Sequence, residues 1–483
     1  MRLTRRAALA GIAGAGVAPS AWAASPGDLA ADVDLLRRIY ETLHPGLYRY
    51  QSPTQFAQRC DDLKAASAGS LAAQYLLLSR LLAQVRCGHT YANFFNQSDA
   101  VSRALFQPVN KLPFHFVWVG DRMVVSANPR GVDGLGRGDE VLYVDGVPAA
   151  MIQSRLLPYM RADGSNDDKR RVLLDVTGSD RIESFDVFHP LAFPSEADLF
   201  TLVRRRASDG MVGRLQVEAI DLGARQAMAP RGADRSSPDY WSLAWPRPGV
   251  AVLTMPGWAM YDVKWDWRAR IAALFEEIAS KRANGLIIDL RDNEGGDDCG
   301  HEIVARLIDS DLPLFADSER RVRFRSTPPD LNPYLDTWDR SFEHIGEGAD
   351  DLGDGFYRLK AGEDETRRIA PKGPRFHGKV IVLSSPQNSS ATFQFIALMR
   401  GHGLARIYGR PTGGNQRGIN GGSFFFVRLP HSGLEADLPL VGYFPNSPKP
   451  DAGLPPDKRI DPTSEDIGRG YDRTLEQAIA DVG

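Results

Sequence analysis

The run Val380-Ile381-Val382-Leu383 empties into Ser-Ser-Pro-Gln-Asn-Ser-Ser, and a helix-like pattern starts at Ala391. A fully apolar run of this length reads as a strand covered on both sheet faces, so the chain must build a layered sheet around it. The short polar turn then sets Ser390 at the mouth of a helix. There the first-turn N–H groups point outward unpaired and carry partial positive charge. An oxyanion needs that environment. The competing reading is an ordinary helix N-cap, because serine is among the commonest cap residues, and the turn alone favours the cap.

The length of 483 residues exceeds a single compact core and implies two or three domains. Hydrophobic residues at 43% and charged residues at 25% are those of a soluble globular protein. A net charge of −3, with no dense basic tract beyond the extreme N-terminus, argues against a nucleic-acid partner. Residues 1–23 have the three parts of an export signal: Arg5-Arg6, the apolar stretch Ala7 to Val17, and small residues at Ala21 and Ala23. The paired arginines point to the twin-arginine route and a periplasmic or extracellular destination. The apolar stretch is too short to span a bilayer, so stable membrane insertion is not expected. Cys60, Cys87 and Cys299 can form at most one disulfide, and no Cys-x-x-Cys metal pair is present.

The order of elements divides the chain. Residues 24–104 read as a helical module: Leu35, Leu36, Ile39, Tyr40 and Leu43 recur at helical spacing until His44-Pro45-Gly46 stops them. Helices over Pro53 to Ala66 and Leu71 to Val85 follow, the third apolar enough to be buried. Residues 105–225 read as β-rich, with short strands at Phe114 to Val119, Met123 to Ser126 and Glu140 to Val144. Arg161 to Arg206 is charged and weakly periodic and reads as an insertion. Gly223 to Pro238 reads as a linker. Residues 240–475 alternate strands with helices, the signature of an α/β layered core. Within them Pro328 to Pro374 reads as acidic surface loop, and Gly421 to Phe444 as a hairpin turning at His431-Ser432-Gly433.

Two further turns carry candidate chemistry. Gly285-Leu-Ile-Ile-Asp-Leu-Arg-Asp-Asn-Glu-Gly-Gly296 is a buried strand ending in a Gly–Gly turn, whose backbone can approach a ligand closely. Arg291 beside Asp289 can brace that turn by a charge-assisted bond. Thr412-Gly-Gly-Asn415 is a second backbone nest or a mobile loop. His301 sits among Asp297, Asp298, Cys299 and Glu302, but this spacing matches no tetrahedral pattern, and no metal or cofactor is expected.

These three turns, in this order, resemble the tail-specific or C-terminal-processing serine peptidase family over roughly residues 240 to 465. The resemblance implies a ClpP/crotonase-like core. It also implies a PDZ-like module around Gly134 to Pro148 and an N-terminal module of the kind seen in the tricorn-like branch. It places the nucleophile at Ser390, with Ser389 as rival. It places the oxyanion donors at Ala391 and at Gly295 or Gly296. One branch of the family uses a lysine after the Thr-Gly-Gly turn; this chain has Asn415 there, and no lysine lies between Lys379 and Lys449. The tricorn-like branch implies a histidine base at His89, and the orienting carboxylate of that branch falls nearest Asp451. The expectation is a serine endopeptidase acting on polypeptides through an acyl-enzyme. A ligand-binding protein on the same fold and an esterase-like hydrolase remain as alternatives.

Overall fold

The computed structural model describes residues 28–195, 198–230, 234–314, 318–360 and 368–483. The expected export signal lies outside them. No helix among the described residues is long and apolar enough to cross a membrane. The three cysteines are buried and free.

The C-terminal half is built on a six-stranded sheet. Its spatial order is Ser242–Arg247, Val250–Thr254, Gly285–Asp289, Lys379–Ser384, Arg406–Gly409 and Lys458–Arg459. All neighbours are parallel except the first pair. In register, Val252 faces Ile287, Ile288 faces Val382, and Val382 faces Ile407. Every residue of Gly285–Asp289 is buried, as its unbroken apolar run requires. One face packs on the helices Trp267–Ser280, Cys299–Val304 and Ser390–Gly401; Ala478 and Val482 of the Arg473–Val482 helix cover the other.

The N-terminal half begins with helices Leu29–Leu43, Pro53–Ala66 and Leu71–Ala83, each opened by a side-chain cap from Asp28, Ser52 and Ser70. An antiparallel sheet follows, in the order His115–Val119, Arg122–Ala127, Glu140–Val144, Leu199–Arg205 and Val212–Glu218. A third sheet centres on the hairpin Asn420–Arg428 and Glu435–Pro445, flanked by Leu335–Asp336 and Ser318–Val322. Hydrophobic contact runs unbroken from Leu29 through the second sheet to Phe425 and Leu440 of this hairpin. Buried Asp32 accepts from the Ser432 N–H and hydroxyl at 2.7 Å each, and the Tyr40 hydroxyl donates to the Asp437 carbonyl at 2.8 Å. Packing therefore crosses the 24–104, 105–225 and 240–475 boundaries read from the chain.

Two stretches are more structured than their composition suggests. Arg161 to Arg206 forms part of the packed framework. It supplies helices Asp167–Val172 and Ser184–Ala192 and the strand Leu199–Arg205, and Asp163, Lys169, Asp186 and Arg204 are buried within it. These four charged side chains face inward onto partners, which erases the hydrophobic period that would mark a framework segment. The acidic stretch from Pro328 also contributes short strands at Leu335–Asp336, Asp350–Asp351 and Tyr357–Arg358, which extend the hairpin sheet.

One buried ion pair ties the second sheet to the chain that follows it. Arg225 and Asp186 are each about 1% exposed, and Arg225 Nε donates to Asp186 Oδ2 at 2.7 Å while Nη1 donates to the Phe114 carbonyl at 3.2 Å. Removing the carboxylate leaves a buried guanidinium unpaired. Asp186→Ala is expected to destabilise this half by about 3–5 kcal/mol. The loss reads out as a lowered denaturant midpoint in equilibrium unfolding, and an unchanged midpoint contradicts it.

Candidate active site

Because Gly285–Asp289, Lys379–Ser384 and Arg406–Gly409 are parallel neighbours, their carboxyl ends bring three turns side by side: residues 290–296, 385–390 and 410–415. Sites in parallel sheets form at such ends. Asn388 joins the three. Its Nδ2 donates to the Leu290 carbonyl at 2.5 Å and the Asn293 carbonyl at 3.0 Å, and its Oδ1 accepts from Ser385 N at 2.7 Å. Its own carbonyl accepts from Gly413 N at 2.7 Å and Gly414 N at 2.9 Å. The Thr412-Gly-Gly turn is thus a clasp on the serine turn. Gly414 has no room for a side chain, since a Cβ there would sit 2.3 Å from the Phe393 ring.

Ser390 opens the helix Ser390–Gly401 with φ of +49°, in the left-handed region that non-glycine residues seldom occupy. Such strain persists where surrounding bonds over-determine it, and it gathers at functional sites. Ser389 is the N-cap position, but its hydroxyl donates to the Glu294 carbonyl at 3.1 Å instead of capping the helix. Among the described residues Ser390 Oγ makes no hydrogen bond. Of the two serines, Ser390 is the one whose oxygen is free to react.

The oxyanion side needs one correction. Gly295 N donates to Asn293 Oδ1 at 2.9 Å and is therefore committed. Asn293 is itself fixed, with Nδ2 on the Met255 carbonyl at 2.9 Å and Oδ1 also accepting from Thr392 Oγ1 at 2.7 Å. Gly295 serves instead as a spacer: a Cβ there would lie 2.9 Å from Ala391 N and from Ser390 Cβ. The N–H groups of Gly296 and Ala391 remain as donors. Gly296 has φ of +135° and lies against the Trp258 backbone, which a Cβ would meet at 2.3 Å.

Glu294, between Asn293 and the two glycines, is held from the N-terminal half. Arg161 Nη2 donates to Glu294 Oε2 at 3.0 Å, and Lys169 Nζ donates to Oε1. Lys169 also donates to the Gln387 carbonyl and Oε1 at 3.0 Å each. Burial would raise the Glu294 pKa, but these two cations outweigh it and hold the carboxyl below its usual range. Lys169 supplies a lysine beside the serine turn that no local motif announced, and its ammonium is consumed by these bonds.

Arg161 reaches the other way as well, donating from Nη1 to the Gly88 carbonyl at 3.1 Å. This places the His89 loop against the serine turn, with Arg161 and Glu294 between them. The His89 ring packs beside Gly421 and 5.7 Å from the Phe424 ring centre. No hydrogen bond joins His89 to Ser390. Burial, then the nearby Arg161 charge, pushes the His89 pKa down to about 4, so the imidazole is neutral at physiological pH.

Asp451 does not orient His89. Its Oδ1 accepts from Ser165 N at 3.0 Å and Asn415 Nδ2 at 2.7 Å, and its Oδ2 accepts from Ser165 Oγ at 2.8 Å. It is a clamp between the 163–166 loop and the Thr-Gly-Gly turn. The carboxylate beside His89 is Asp163, which is 2% exposed. Its Oδ1 accepts from Gly88 N at 2.9 Å. Its Oδ2 and the His89 Nδ1 are both buried without partners. A ring nitrogen of His89, an Asp163 oxygen and the Cys87 sulfur lie within 4.8 Å of one another, and among the described residues they form the group with metal-holding geometry. The His301 loop does not. Burial raises Asp163 to about 6. No sequence signal located it: Asp163-Gly164 reads only as a turn, and its partner Gly88 is 75 positions away.

The fold and these turns define a serine-type hydrolase core. Residues 249–427 match the model of peptidase family S41, and this match supports a serine-type peptidase core. Its fold is similar to that of a serine-to-alanine mutant of CPAF, with 16% identity, a TM-score of 0.66, and coverage of 94% of this chain and 98% of that one. Mature CPAF is similar at 17% identity and a TM-score of 0.62, covering 94% and 95% of the two chains. Mature CPAF complexed with lactacystin gives 16% identity and a TM-score of 0.62, covering 94% and 97%. No curated protein matches the chain by sequence.

Asn388→Ala removes the side chain that joins two of the turns and leaves the Asn293 carbonyl and the Ser385 amide without their partner. It is expected to cost roughly 3 kcal/mol or more in equilibrium unfolding, with loss of peptidase activity. Wild-type stability and rate in this variant would show that the turns hold without it.

Proposed function

We propose that the chain is an exported serine endopeptidase in which Ser390 is the nucleophile, His89 the general base and Asp163 the group that orients His89. The observation that carries this reading is the strained, unpartnered Ser390 at the head of a helix, beside the free N–H groups of Ala391 and Gly296. Ser390 Oγ attacks the peptide carbonyl as His89 takes its proton. The carbonyl oxygen becomes negative and accepts from Ala391 N–H and Gly296 N–H, whose donors are fixed before the reaction begins. His89 then protonates the leaving amine. The acyl-enzyme is released by water, with His89 again removing a proton. Neutral imidazole is the form this cycle needs at its start, and burial maintains it. Asp163 supports the role by position: one of its oxygens lies within 4.8 Å of a His89 ring nitrogen, Nδ1 and Asp163 Oδ2 are both without partners, and a bond between them would fix the tautomer. Export rests on the residue 1–23 pattern.

One observation favours the alternative of a ligand-binding protein: His89 and Ser390 are not hydrogen-bonded. Catalysis therefore requires substrate to draw the two together, as free enzymes often do.

Kinetics with a peptide substrate separate these readings. Ser390→Ala is expected to reduce hydrolysis to background. His89→Ala should lower kcat/KM by about 10²- to 10⁴-fold. Asp163→Asn should act mainly on kcat and cost more than Asp451→Asn. Full activity in Ser390→Ala rejects the nucleophile assignment, and a larger loss in Asp451→Asn than in Asp163→Asn reverses the orienting assignment.

A further inference from the structure

The trio Cys87, His89 and Asp163 does more than the proposed hydrolysis asks of it. Peptide cleavage needs one nitrogen of His89 and one oxygen of Asp163 and has no use for the sulfur. Yet the sulfur lies within the same 4.8 Å group. We infer that these three side chains form a thiolate–imidazole–carboxylate site for a zinc-class divalent cation, and that the bound cation withdraws His89 from Ser390 and turns the peptidase off. The second half of this inference rests on His89 being the base; the first does not.

Four observations carry it. The donor set of one sulfur, one nitrogen and one oxygen is the mixture zinc accepts, and it suits magnesium or calcium poorly. Zinc bonds of about 2.0–2.3 Å in a tetrahedron hold their ligands about 3.3–3.8 Å apart, so the side chains close by little more than 1 Å. Two of the candidate donor residues hold atoms buried and unpartnered, His89 Nδ1 and Asp163 Oδ2. A buried polar atom without a partner is costly, and a cation satisfies both at once. The backbone around them is already fixed: Gly88 N donates to Asp163 Oδ1 and leaves Oδ2 free, Arg161 holds the Gly88 carbonyl, and Asn420 Nδ2 donates to Cys87 Sγ at 3.3 Å. That last bond strengthens when the sulfur becomes a thiolate.

Charge balance is also met. On binding, the Cys87 thiol releases its proton to solvent and the sulfur donates an electron pair to the metal; no electron is gained or lost by the protein. Thiolate, carboxylate and divalent cation then sum to zero, within a region where Arg161 and Lys169 already face negative groups. The tetrahedron keeps a fourth position for water. Residues 87 to 89 put two ligands on one turn of the N-terminal module, and Asp163 supplies the third from the segment that grips the serine turn.

The test uses the full-length mature chain titrated with zinc and, separately, with cobalt as a spectroscopic probe. Wild type and Ser390→Ala are both expected to bind one equivalent and to give a sulfur-to-cobalt charge-transfer band, so this readout needs no catalysis. Cys87→Ser should lose the band and weaken zinc binding by about 100-fold. Wild-type peptide hydrolysis should fall in step with zinc occupancy and recover with a chelator. Cys87→Ser, measured against its own metal-free rate, should need about 100-fold more zinc for half-inhibition. If Cys87→Ser does not fold, the cobalt band and zinc affinity of Asp163→Asn replace it. Zinc affinity equal in wild type and Cys87→Ser, or no thiolate band, overturns the site. Cys87-dependent zinc binding with undiminished hydrolysis overturns the switch. If the metal-free wild type hydrolyses no peptide, the peptidase reading fails, and the band and affinities still decide the site.

Discussion

The site depends on the side chain of Asn388. Three turns from three neighbouring strands would each be free to wander on their own, because a polar turn has little apolar surface to bury. Asn388 spends its donor and acceptor on the chain around Leu290, Asn293 and Ser385, and its carbonyl on Gly413 and Gly414. These bonds are buried, where a missing partner is expensive, so they specify one arrangement. The strained φ of Ser390 is sustained because Ser389 is held by the Glu294 carbonyl and Thr392 by Asn293 Oδ1.

Around that centre the molecule is organised to bring a distant residue to a local site. Strand–turn–helix geometry can supply a nucleophile and oxyanion donors from a few adjacent residues, but in this chain the three turns carry no lysine or histidine to serve as base. Here the base candidate arrives from the N-terminal module. The hairpin Asn420–Arg428 and Glu435–Pro445 begins just after the Thr-Gly-Gly clasp and packs against the first helices through Asp32 and Tyr40. Arg161 and Lys169 complete the connection through Glu294. Charged groups in such positions are weak sources of net stability, and their value here is geometric: each accepts one partner in one place.

This organisation explains which features were legible in the sequence. Ser390, Gly296 and Ala391 lie in turns that announce themselves by composition, and the strands beneath them by continuous apolar runs. The helices ending at Leu43 and Ala66 were equally plain from their spacing and stops. The sequence offers Gly295 or Gly296 as donor; the Gly295 amide is bonded to Asn293, only two residues away, and a Gly–Gly pair does not reveal which N–H is spoken for. A carboxylate at the distance of Asp451 along the chain says nothing of its direction, and Ser165 and Asn415 claim it. Asp163 and Lys169 were hidden in a stretch whose charges looked solvated. Their partners are more than 70 positions away, and long-range pairing leaves no period to read.

The measurement that bears most directly on this account is mapping of the covalent adduct formed by a serine-directed phosphonate on the folded wild-type chain. Peptide mass spectrometry of the Lys379–Arg400 region locates the modified oxygen. The account predicts a single adduct on Ser390, with Ser389 unmodified because its hydroxyl is bonded to the Glu294 carbonyl. An adduct on Ser389, or none on either residue in a preparation that cleaves peptide, would contradict it.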